Sequence, residues 1–191
     1  MARSTAQRHQ RGFSTIELLV VVAVISIISA VALPSFMRAY QTYQVNDAAS
    51  KIASILKFTR YESIRLNATI NCLIQAAPGG GTVVGTDSNG SGVVDVTEKQ
   101  VVFATNVSLI PPAGIPGTGA LVAAAGLGAL TPLPVATGFD KRGAVNPPAV
   151  YVAYVGNTVT PNPGYRAVIL LPSGSIQLWS SDSAGNWHAV D

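Results

Sequence analysis

Residues 11–34 read RGFSTIELLVVVAVISIISAVALP, and the fold turns on how this run is taken. Across residues 13–33 the only ionisable side chain is Glu17. Wound as an α-helix at 1.5 Å per residue, that segment extends about 31 Å, enough to cross a hydrocarbon core. A carboxylate inside such a segment costs a few kcal/mol or more unless it has a partner, so Glu17 marks a function.

Working outward from this run, residues 1–12 are polar and basic, with Arg3, Arg8 and Arg11 before the apolar stretch. By the positive-inside tendency they stay cytoplasmic, and everything after Pro34 is sent outward. The Ala30, Val31, Ala32 pattern would suit a cleaved secretory signal, but Glu17 and the continuation beyond Pro34 argue for a retained helix. Val45, Ala48, Ala49, Ile52, Ile55, Leu56, Thr59, Ser63 and Leu66 recur at three- and four-residue spacing on one face, while Lys51, Lys57, Arg60 and Arg65 point mostly elsewhere. The pattern therefore predicts one helix from Phe13 to about Asn67, kinked where Pro34 removes a backbone donor. A head of the remaining size cannot bury that length. The first half is expected to be covered by lipid or by other chains.

After Asn67 short β-rich runs alternate with Gly, Pro and Asn. Strands are expected near residues 69–75, 100–105, 149–155, 166–171 and 175–179, with GTVVGT and KQVVFA also strand-like and a hairpin turning at residues 172–174. Residues 111–134, PPAGIPGTGALVAAAGLGALTPLP, read as a long apolar surface loop whose LVAAAGLGAL packs on the sheet or on a neighbour. The fold class is α+β: a long N-terminal helix, transmembrane in its first half and amphipathic in its second, packed on a small C-terminal antiparallel β-rich head. The expected divisions are 1–12, 13–33, 34–67 and 68–191.

Composition narrows function. The formal charge of +3 comes from 12 Lys+Arg against 9 Asp+Glu, and three of the arginines precede the apolar run. Beyond Asn67, Lys99, Lys141, Arg142 and Arg166 face Asp87, Asp95, Glu98, Asp140, Asp182 and Asp191, a net of −2, so broad nucleic-acid affinity is not expected. Cys72 is the single cysteine, which excludes an intrachain disulfide; its INCLI setting reads as a buried position on a strand. His9 and His188 stand far apart, GGGT at residues 79–82 lacks the Lys of a phosphate loop, and no catalytic grouping is visible, so no enzyme is expected.

Residues 87–98, DSNGSGVVDVTE, admit two readings. Asp87, Asn89, Ser91, Asp95 and Glu98, with the Val93 carbonyl, have calcium-loop spacing around Gly92, which makes calcium the one cofactor to consider. The strand-like flanks and Ser91 fit a solvated Asx/Gly turn instead.

The N-terminal residues resemble the type IV pilin family: a short basic leader ending in Gly12, then Phe13, Ser14, Thr15, Ile16 and Glu17, then an apolar helix interrupted at Pro34. The resemblance implies a prepilin peptidase that cuts between Gly12 and Phe13 and methylates the new N-terminus at Phe13, with Glu17 pairing an α-amino group during filament assembly. Residues 54–74, SILKFTRYESIRLNATINCLI, are similar to the helix-to-strand junction of GspH/FimT-like minor pilins, through Arg60, Glu62, Ser63, Ile64, Arg65, Asn67 and Cys72. The implied role is a minor pilin, held in the inner membrane with its head in the periplasm and then assembled with other pilins into a type IV pilus. A minor pseudopilin of type II secretion, assembled with other pseudopilins into a periplasmic pseudopilus, is the alternative. DNA uptake ranks lower, because the closing hairpin after Gly174, Ser175, Ile176, Gln177 and Leu178, carries no Arg.

Overall fold

The computed structural model describes residues 13–78, 80–160 and 163–190. The chain divides into two compact units, residues 1–37 and 38–191. A single long helix, α1 (Thr15–Leu66), contributes to both and contains Pro34.

Within the first unit the described part of α1 is exposed along its length apart from the half-buried Ser29. It is long and apolar enough to cross a membrane by length and composition. Ser26 directs its hydroxyl to the Val22 carbonyl at 2.8 Å, so a polar side chain in this segment is satisfied by its own helix.

In the second unit α1 turns a continuous stripe inward: Val45, Ala48, Ala49, Ile52, Ala53, Ile55, Leu56, Thr59 and Ser63 are buried. The small residues at 48, 49 and 53 let the helix approach closely, and the larger ones fill the space between two sheets. The face read from the periodicity is this face, except that Leu66 is exposed in the last turn.

The first sheet holds β1 (Ile70–Ala76), β2 (Thr82–Asp87), β3 (Gln100–Val102), β6 (Ala136–Phe139) and β7 (Val145–Asn146) in the order β3-β2-β1-β6-β7. Along the second run β11 (Trp187–Val190), β10 (Ile176–Ser181), β9 (Tyr165–Leu170), β8 (Tyr151–Asn157) and β4 (Val107–Leu109), in that order. All these pairings are antiparallel; the short β5 (Thr131–Pro132) adds to β8 in parallel. The expected α+β class, with a helix on an antiparallel head, is therefore observed.

β8 and β9 are buried throughout because both of their faces are covered. Strand alternation sends Tyr151, Ala153, Val155, Val168 and Leu170 into the core beneath α1. It sends Val152, Tyr154, Ala167 and Ile169 into a second core on the other side. That second core is capped by residues 111–134. Instead of an irregular surface loop, this segment forms a 3-10 turn (Pro112–Gly114), helix α2 (Thr118–Ala124) and β5, and Leu121 is fully buried. LVAAAGLGAL packs on the sheet through Leu121, with Ala125, Leu127 and Leu130 beside it.

The closing hairpin turns where the sequence places it. Gly174 has φ of 79° and its amide donates to the Leu171 carbonyl at 2.8 Å. A Cβ there would sit 2.3 Å from the Gly143 carbonyl oxygen, so both conformation and space require glycine.

Candidate functional site

The N-terminal element presents its chemistry at the start of α1. The helix begins at Thr15, with the Leu18 amide on the Ser14 carbonyl at 3.1 Å, and Glu17 lies in the first turn. A carboxylate there complements the partial positive charge of the unsatisfied helix amides. Phe13 is 80% exposed, and Glu17 is exposed and in no ion pair among the described residues. Gly12 lies outside the described residues. The result is a lipophilic rod whose single charge is at one end, one turn from Phe13.

The turn of residues 88–99 is built around two carboxylates that grip backbone. Asp87 is buried, and its two oxygens accept the amides of Ser91 (2.9 Å) and Gly92 (3.0 Å). Glu98 accepts the amides of Ser88 (2.7 Å) and Asn89 (3.1 Å) through one oxygen and the Asp95 amide (3.2 Å) through the other. Asn89 also takes the Ser91 amide, while the Ser91 hydroxyl donates to the Val93 carbonyl at 2.9 Å. Among the described residues no three His, Cys, Asp or Glu side chains gather as metal ligands. Asp87, Asn89, Ser91, Val93, Asp95 and Glu98 are thus brought into one turn, with oxygens directed at its amides. Gln75 fastens this turn to β1 by accepting the Val94 amide and donating to the Gly92 carbonyl, a role invisible in its own run of sequence.

Glu98 lies below the ordinary carboxylate range: partial burial pushes it up, and the hydrogen bonds from Asp95, Asn89 and Ser88 together outweigh that. Cys72 is buried on β1, where desolvation pushes its thiol up to about 12 against a smaller opposing effect of Thr59. It is an inert core residue, as its apolar neighbours suggest.

Arg166 was not singled out by spacing. It shares the strand phase of Val168 and Leu170, and that phase faces α1: its Nε donates to Asn46 Oδ1 at 2.5 Å and its Nη1 to the Tyr165 carbonyl at 2.9 Å. The signal was one arginine in step with the apolar positions of an otherwise buried strand.

The described residues thus give an N-terminal apolar helix segment with a first-turn acid and, separately, an antiparallel head against which the later part of α1 packs. Residues 7–33 match the prokaryotic N-terminal methylation motif. No curated protein sequence matches. Among solved structures, the type IV minor pilin FimU of Pseudomonas aeruginosa (strain PAO1) is similar in two crystal forms. One has 16% identity and a TM-score of 0.49, over 78% of this chain and 94% of that one. The other has 17% identity and a TM-score of 0.48, over 76% and 97%.

Proposed function

We propose that the chain is a minor type IV pilin, cut between Gly12 and Phe13 by a prepilin peptidase, methylated at Phe13 and assembled with other pilins. The observation that carries this reading is the methylation motif over residues 7–33, laid on an exposed apolar helix whose one charge is Glu17. Cutting after Gly12 creates an α-amino group one helical turn from Glu17. Each charge is costly alone in a low-dielectric setting, and the pair is tolerated because their attraction is far stronger there than in water. An incoming subunit's Glu17 meeting a neighbour's amine then fixes the register of helix packing, and Pro34 adjusts the helix beyond it. Before assembly the apolar segment holds the protein in the inner membrane with its head in the periplasm.

Intact-mass measurement of membrane-extracted protein tests processing: the mature chain is expected to begin at a methylated Phe13, and Gly12→Val to accumulate as precursor. Glu17→Ala is expected to be cut normally but to be depleted severalfold from sheared surface fibres. Wild-type incorporation of that variant would refute the pairing. Wild-type protein confined to the envelope, with none in sheared fibres, would favour the pseudopilus instead.

A further inference from the structure

Between α1 and the last strands of the second sheet runs a groove that the N-terminal chemistry does not use. Two cavities, of about 500 and 250 Å³, share Leu178, Trp179 and Val190 as lining and so form one trough. Lys57 lines the larger cavity and Arg166 the smaller. Arg166 is 9% exposed and has no carboxylate partner among the described residues. Asn46 and backbone carbonyls take its Nε and Nη1, which satisfies hydrogen bonds without neutralising the charge. A buried cation compensated only by dipoles is costly, and a carboxylate brought into its cavity relieves that cost.

We propose that this groove receives an extended acidic segment of a partner polypeptide, with one carboxylate on Arg166 and a second near Lys57. The spacing specifies the ligand. Arg166 is anchored at Asn46, eleven helical positions from Lys57, or about 16 Å along α1. An extended chain rising about 3.3 Å per residue covers this in five residues. Side chains on one side of an extended chain recur at every second residue, so the segment carries acids at i and i+4. The flexible Lys57 arm takes up the remainder, and a small apolar side chain at i+2 lies on Leu178. β11 is the last strand of its sheet, and its Ala189 and Val190 line the larger cavity. The inference is independent of how the N-terminus is processed.

The test uses the full chain in detergent and the blocked peptide acetyl-Asp-Ser-Val-Ser-Asp-amide, which turns both acids and the central Val to one side when extended, with binding read by calorimetry. Saturable binding is expected, weakened at least tenfold when both Asp are replaced by Asn. Lys57→Ala, an exposed change that leaves the core intact, should weaken it severalfold; Arg166→Gln should abolish it, with circular dichroism reporting on the fold. Equal binding of the Asp and Asn peptides, or none, overturns the proposal. So does acetate that saturates the site as tightly as the peptide, since the source is then a free carboxylate. Binding that appears only after removal of Asp191 would make the chain's own C-terminus the occupant and also overturns it.

Discussion

Glu98 shows how one side chain can carry a turn. Its oxygens take three backbone amides, so Glu98→Ala leaves donors unpaired and is expected to cost about 1–2 kcal/mol. The loss should be the same in calcium and in chelator, because the oxygens are spent on the turn; a destabilisation that depends on calcium would revive the cation reading. The pH dependence has a definite sign. The folded carboxyl is depressed relative to the unfolded value of about 4.3. Its contribution is therefore full above that value and is lost as pH falls through the folded pKa. The gap between wild type and variant should narrow in acid, measured by denaturant melts across pH. Cys72 gives a second residue-scale expectation: with its thiol raised to about 12 by burial, it should resist thiol reagents at pH 8 while folded and react once unfolded.

At the scale of elements, α1 is held by the stripe it buries. Ile52 is fully buried in the main core, so Ile52→Ala should cost about 2–5 kcal/mol by denaturant unfolding. Tyr61, on the same helix but 66% exposed, should tolerate Ala within about 0.5 kcal/mol. Equal effects would mean that the periodic face does not hold the helix. This face was legible in the sequence because a helix with one wet side needs apolar residues every three or four positions. The strands β1, β8, β9 and β10 were legible within a residue or two for a similar reason, as β-branched runs bounded by Gly, Pro and Asn. β4, β7 and β11 were not, since two to four residues set no period and gain their pairing from neighbours distant in sequence. Residues 111–134 misled because Gly and Pro punctuate them densely, although α2 exists through Leu121, whose burial against β8 and β9 is a tertiary effect. The methylation motif is a single local run and so is readable in the sequence; the groove at Arg166 is not, because Asn46, Lys57 and Val190 come to line it only after folding.

For the molecule as a whole, where the charge sits matters more than how much there is. Without residues 1–12 the remaining cations and acids balance at nine each. Several of the cations are already committed: Lys51 pairs with Asp47, Arg65 with Glu62, Arg60 donates to the Gly174 carbonyl and Arg166 is buried. Arg38, Lys57, Lys99, Lys141 and Arg142 remain, spread over the helix, the turn of residues 88–99 and the β6–β7 turn. Duplex DNA rewards contiguous phosphate neutralisation, and the observed binding constant falls with salt in proportion to the phosphates engaged. Dispersed cations facing an acidic head engage few. Protein lacking residues 1–12, kept in detergent, should therefore show no binding to a short duplex tighter than roughly 10⁻⁶ M at physiological salt by fluorescence anisotropy. Tighter binding with a steep salt slope would require a basic surface that this charge distribution does not supply, and would move DNA capture to the front of the functional readings.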